Sequence, residues 1–330
     1  MGVVLKTALI FLLFASSIVC EYFMSLQHSR RSGLALNRWG VNMRSLTPYF
    51  FLLPALLMLG LTVFYPVIQA FYLSFTEYDL LSAPEWIGLK NFRILLHDDL
   101  FWRSFYNTLL YLVCVVPLLM TLPLGLAILA NQKLRGIQWF RVIFYTPVVV
   151  SMVVAGIAWK WLYDGNGLLN QALNALGMVS VGWRTDARVA LFSVMAVTVW
   201  KGLGYYMVLY LAGLQAIPAD LYEAAAIDGS DGVRKHFDIT IPLMRPYLLL
   251  VGVISAISAT KVFEEIYVIT GGGPNNASST IVYYVYNQAF QQLKISYGCT
   301  VGLVMFLLIL VLSIIRLGVQ RFTEDEISAI

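Results

Sequence analysis

Six long apolar runs, separated by polar stretches of very unequal length, organise this sequence. They are Thr47 to Phe75, Leu109 to Ala130, Val142 to Trp159, Val189 to Ile217, Tyr247 to Thr270 and Tyr297 to Ile315. About 20 apolar residues suffice to cross a bilayer as a helix, and each run is close to that length or beyond it. The first carries no charge. The fourth is interrupted by Lys201, and the fifth is clean for its first half before Lys261, Glu264 and Glu265 appear. Pro54, Pro66, Pro117, Pro123 and Pro147 fall inside the runs, as membrane bundles tolerate. The pattern predicts an all-α polytopic membrane protein with a six-span core over residues 47–320.

The longest strongly polar stretch between two runs is Tyr222 to Pro242. Pro218 suits the first position of a helix, and Asp220 puts negative charge in its first turn, where the helix dipole favours it. Leu221 to Ile227 makes two turns with a small alanine face. Asp228-Gly229 ends them, since glycine tolerates the positive φ that a stop requires. A second short amphipathic turn through Val233 to Phe237 follows, and Pro242 and Pro246 close the unit. This is a helix–turn–helix projecting from the membrane, and its small residues let another surface approach closely.

The order Glu223-Ala224-Ala225, Gly229, Ile239, Ile241-Pro242 resembles the EAA loop of binding-protein-dependent ABC importer permeases, with isoleucine where leucine usually precedes the proline. The resemblance extends over roughly Tyr49 to Gln320. Tyr65-Pro66, Ser74-Phe75, Trp86 to Phe92, Asn107-Thr108-Leu109, Trp200-Lys201, Leu211 to Pro218 and Thr270 to Pro274 are similar to the maltose- and glycerol-phosphate-type permeases. It implies a type I permease fold and a carbohydrate or related polyol or glycerol-phosphate-like solute. It also implies three partners beside membrane lipid: an ABC ATPase dimer, a second homologous permease, and a periplasmic or lipid-anchored solute-binding protein. Loop 218–246 would couple to the ATPase through Glu223, Ala224, Ala225, Asp228, Gly229, Ile239 and Pro242.

Composition agrees with the runs. The 330 residues are 59% hydrophobic and 12% charged, against about 25% charged in soluble domains. Mean hydropathy is +0.76. The net charge of +4 matters less than its placement, and no nucleic-acid partner is expected. Counted along the chain, twelve lysines and arginines lie on the side holding Arg44, Arg141, Arg234, Lys235 and Arg316, and seven on the other. That surplus predicts a bacterial cytoplasmic (inner) membrane protein with loop 218–246 and the tail 321–330 in the cytoplasm. The segments Glu77 to Phe105 and Lys160 to Arg188 then face outside, either as contacts for an external partner or as solvated loops.

Residues 1–46 form a hydrophobic segment and a basic lead outside the resemblance. Met1 to Cys20 has the form of a secretory signal, an extra anchor helix, or sequence upstream of a later start at Met24 or Met43. Cys20, Cys114 and Cys299 lie in apolar stretches at unrelated spacings, which is neither a disulfide framework nor a metal site.

No catalytic, cofactor or metal residues are expected. The chain has no GxxxxGK[ST] phosphate loop, so ATP hydrolysis would fall to a separate chain. Gly271 to Asn275 reads as a turn, and Asp98-Asp99 as a solvated acidic pair. His28, His97 and His236 are scattered. The intramembrane charges are the more informative residues, because such groups face cavities or pair. Lys201, Tyr205, Lys261, Glu264 and Tyr267 are the candidate substrate pathway, with a Lys201–Glu264 pair geometrically open. The alternatives are interfacial tyrosines and a charge pair made only for packing. Two rival functions remain. One is an ion-coupled secondary transporter using Lys201 and Glu264; the other is a membrane enzyme, which would need a clustered interfacial site that the sequence lacks.

Overall fold

The computed structural model describes residues 43–78, 80, 82–132, 134–307 and 309–311. The N-terminal segment to residue 42, with Cys20 and His28, and the tail from residue 312 lie outside that range. The described chain divides into two compact units, meeting at Tyr72 and Leu73.

In the first unit, α1 (Met43–Leu59) passes through a π-helical turn, Gly60–Phe64, into α2 (Tyr65–Ser74). The widened turn sits just before Pro66, where a proline ring and a missing N–H would crowd a regular helix. Along Phe51–Ser74 the only buried residue is Ser74, at its end, and Leu57, Leu61 and Ile68 are exposed. A helix apolar all round needs lipid or a partner helix around it.

The second unit opens with a short antiparallel pair, β1 (Thr76–Glu77) and β2 (Glu85–Trp86), and α3 (Lys90–Leu96). Then come α4 (Asp99–Ala130), α5 (Ile137–Val149), α6 (Met152–Leu162), α7 (Leu168–Ala175) and α8 (Ala190–Gln215). The loop region holds α9 (Ala219–Ile227), a π-helical turn His236–Thr240 and α10 (Ile241–Leu243). The chain continues through α11 (Arg245–Thr260), α12 (Glu264–Ile269), α13 (Ile281–Tyr286) and an apolar helix α14 (Ile295–Val311). The core forms where α8 packs on α4 and α5 and α11 packs on α4. Tyr111 and Val115 of α4, Val194, Met207 and Tyr210 of α8, and Val251 of α11 are fully buried there.

Among the described residues, three of the six expected spans are single helices long enough to cross a membrane, two are bent helix pairs, and the sixth, expected to reach Ile315, is a shorter apolar helix described only to Val311. Phe51–Ser74, α4 and α8 are long apolar helices, and α14 is shorter. The third, read as continuous from Val142 to Trp159, is broken: α5 and α6 meet at 99°. Val150 is extended at ψ 132°, and Ser151 starts a new helix by accepting from the Val154 N–H at 3.4 Å. Such a serine cap offers the backbone an alternative to continuing the helix. The fifth stops at Thr260 rather than Thr270. Its entry is also bent, by 61° between His236–Leu243 and α11.

The segments between spans are folded, not slack. The buried Asn170 amide donates to the carbonyls of Asp164, Gly165 and Val181 and accepts from Val181 N and Trp183 Nε1. Asn107 donates to the carbonyls of Ala277 and Ser279, at 3.0 and 2.9 Å. Its neighbour Thr108 accepts from Ile281 N. So the Asn-Thr-Leu motif of α4 holds the turn that follows Gly271-Gly272-Gly273-Pro274.

Asp98 corrects the expectation of a solvated pair. Its carboxylate caps α4 through Leu100 N and Phe101 N and accepts the hydroxyls of Tyr284 and Tyr297. Burial alone would raise its pKa, but these four donors together hold it below the usual carboxylate range.

Candidate functional site

Two constellations stand out: the polar loop between α8 and α11, and the charges at the broken span. In the loop, Pro218 is the N-cap and α9 begins at Ala219, one residue later than the sequence suggests. The helix ends on a Schellman motif. Ser230 N donates to Ala225 O at 2.8 Å and Gly229 N to Ala226 O at 3.2 Å, with Gly229 at φ +81°. Asp228 is the C-cap, as the Asp-Gly pair predicts.

Side chains then tie α9 to the π-helical turn behind it. Asp238 accepts from Ser230 Oγ at 2.6 Å and from Arg234 Nε at 3.2 Å. The buried Thr240 hydroxyl meets Tyr222 Oη at 3.0 Å and His236 Nδ1 at 3.1 Å. Burial, helped by the charge of Lys235, pushes the His236 pKa down, so the ring is neutral at neutral pH. At its root the loop is closed by Gly213 of α8, where an added Cβ would lie 2.8 Å from the Tyr247 ring.

Of the residues expected to couple, Ala225 is buried, while Glu223, Ala224, Asp228 and Gly229 are exposed, and Ile239 and Pro242 are half-buried. Sequence reasoning overlooked the large apolar residues of this polar loop. Ile227, Val233 and Phe237 are 87%, 73% and 65% exposed. Exposed apolar groups rimmed by polar ones mark an interaction surface. The amphipathic turn from Val233 to Phe237 was the available signal.

At the second site the structure separates what the sequence had joined. Glu264, Lys261, Tyr205 and Tyr267 are exposed, and no ion pair joins Lys201 to Glu264 among the described residues. Lys201 Nζ instead donates to the backbone carbonyls of Pro147, Val148 and Val150, at 3.2, 3.5 and 2.5 Å. These are the last carbonyls of α5 and its C-cap, left without intrahelical partners by the break. Glu265 is the carboxylate close enough for its charge and that of Lys201 to act on each other. Tyr267 stacks on Phe263 with ring centroids 5.5 Å apart.

The sequence model of the family described as "Binding-protein-dependent transport system inner membrane component" matches residues 99–328. The arabinooligosaccharides transport system permease protein AraP of Halalkalibacterium halodurans is 33% identical over 294 residues, 88% of this chain and 92% of that protein. The sn-glycerol-3-phosphate transport system permease protein UgpA of Yersinia pestis bv. Antiqua is 34% identical over 285 residues, 85% and 95% of the two chains. The fold is similar to a crystal structure of a bacterial ABC transporter involved in the import of the acidic polysaccharide alginate. That match has a TM-score of 0.76 at 23% identity and covers 84% of this chain and 96% of the other. With its broken and straight apolar helices and the loop between α8 and α11, this chain belongs to the binding-protein-dependent transport system inner membrane components, as a multi-pass ABC importer permease of the type I fold.

Proposed function

We propose that this permease imports a carbohydrate or closely related polyol, driven by a separate ATPase that docks on loop 218–246. The observation that carries the reading is the loop itself, a short helix locked by its own hydrogen bonds and presenting Ile227, Val233 and Phe237 to solvent. A rigid projection transmits a push; a slack one absorbs it. Its two ends continue into α8 and α11, which form the core with α4. A movement of the docked loop therefore reaches the centre of the bundle directly.

Glu223 and the exposed Ala224 supply the polar rim and close approach of the seat, with Gly229 as the turn that shapes it. Closure of an ATPase dimer would drive alternating access, a second homologous permease would complete the pathway, and a soluble binding protein would deliver solute from outside. The names of the relatives, an arabinooligosaccharide and a glycerol-3-phosphate permease, support a hydroxyl-rich solute. No observation favours the ion-coupled rival, since Lys201 is engaged by backbone carbonyls and Glu264 is exposed and forms no ion pair with it among the described residues.

This reading requires the loop to face the cytoplasm. Val233, exposed on the loop, is the probe site. In a background lacking Cys20, Cys114 and Cys299, an impermeant thiol reagent should label Val233→Cys in inverted vesicles and not in intact cells. Labelling in intact cells would reverse the orientation.

A further inference from the structure

Lys201 sits where a lysine is expensive, and the structure gives it an uncommon set of partners. A charge within a span usually faces a cavity or an opposite charge. This ammonium is aimed at the carbonyls of Pro147, Val148 and Val150, at the 99° break between α5 and α6. The C-terminal end of a helix carries partial negative charge, and its last oxygens have no internal donors. Hydrocarbon offers no water to take their place. An ammonium supplies three donors and no acceptor, which suits a group of bare oxygens. Backbone oxygens do not titrate at any accessible pH, so the attachment does not depend on the protonation of a neighbouring side chain.

The surroundings fasten the same junction from other directions. Three residues along α8, Gly204 touches α5 so closely that an added Cβ would lie 2.1 Å from the Phe144 carbonyl oxygen. On the far side of the break, Gly156 of α6 meets Val268 of α12, where an added Cβ would lie 2.6 Å from Cγ1. Thus α8 holds the end of α5 through Lys201 and Gly204, α12 packs on α6 beyond the break, and α8 runs on into the polar loop.

We infer that Lys201 is a positioning residue. It holds the α5–α6 break against α8, so that a displacement of loop 218–246 moves the broken span with α8 as one body. This role rests on the transport reading above, but the attachment itself can be tested apart from it.

The test places spin labels at Trp139→Cys on α5 and Trp161→Cys on α6, both exposed positions, in the reconstituted complex without the native cysteines. The distance between the labels reads the bend without ATP or solute. Lys201 should give a single narrow distance. Lys201→Met, similar in length but without donors, should broaden or shift it, and Lys201→Arg, which still donates, should keep it. An unchanged narrow distance in Lys201→Met overturns the inference. If Lys201→Met fails to assemble while Lys201→Arg assembles, the need for donors is supported; if both fail, the inference is overturned.

Uptake gives the second readout. A misplaced element costs rate, so Lys201→Met should lower the maximal uptake rate about 100-fold. The solute concentration for half-maximal uptake should stay within about twofold, since solute binding is not what the lysine provides. A raised half-maximal concentration with the maximal rate kept would place Lys201 on the solute and overturn the positioning role. A bend that responds as expected, in a protein whose uptake ignores ATP, would sink the transport reading and leave the attachment standing.

Discussion

Gly229→Pro is expected to abolish uptake while the protein still inserts and accumulates. Proline fixes φ near −65°, whereas this position needs +81°, and it removes the N–H that donates to Ala226 O. Backbone strain of this kind costs about 1–3 kcal/mol, and the lost hydrogen bond adds about 1 kcal/mol. That is enough to unravel the end of a nine-residue helix held by one Schellman closure. The bundle core lies elsewhere, so the loss is confined to the loop. A seat displaced by about 1 Å is enough to lower a coupled rate about 100-fold. Gly229→Asn is the control. An added Cβ at Gly229 meets nothing within 4 Å, and asparagine tolerates the left-handed region, so this variant should keep near-normal uptake. Equal activity of the proline variant and the parent would remove the rigid loop from the mechanism.

Gly204→Val should act on the fold instead. A Cβ there would lie 2.1 Å from the Phe144 carbonyl oxygen and 2.8 Å from the Phe144 carbonyl carbon, both backbone atoms of α5 that cannot rotate away. Helices approach this closely in membranes through small residues. Overpacking costs about 1–3 kcal/mol and more where the backbone must move. Valine should therefore lower the amount of protein in the membrane severely and shift thermal unfolding of the purified chain downward. Gly125→Ala, at a helical glycine with nothing within 4 Å, should be neutral or slightly stabilising. If Gly204→Val accumulates and melts like the parent, the contact between α5 and α8 is not what positions the break.

These two glycines also mark how far the sequence could be read. Gly229 was legible because an alanine-rich helix followed by Asp-Gly carries its own stop signal, and the Schellman closure is a purely local consequence. Gly204 was not, since one apolar helix gives no sign of which small residue another helix will touch. The same division runs through the charges. Lys201 was recognisable as an anomaly in a span, but a search among side chains offers only carboxylates as partners. Its actual partners are backbone oxygens, which become available only because the chain breaks after Val149. Pro147 and Ser151, four residues apart inside a span, were the signal that the run would not stay straight. Asp98 was likewise misread as solvated. Its place just ahead of an apolar helix fits an N-cap, but Tyr284 and Tyr297 lie 186 and 199 residues away in the chain.

The central claim is that an ATPase acting through loop 218–246 drives solute movement through this chain. The most direct measurement uses proteoliposomes holding the full transporter, with ATP supplied on the loop side, binding protein and labelled sugar on the other, and all ion gradients collapsed. The account predicts solute accumulation that requires ATP and disappears with Gly229→Pro. Accumulation driven by an imposed ion gradient without ATP, and indifferent to the loop variant, would contradict it.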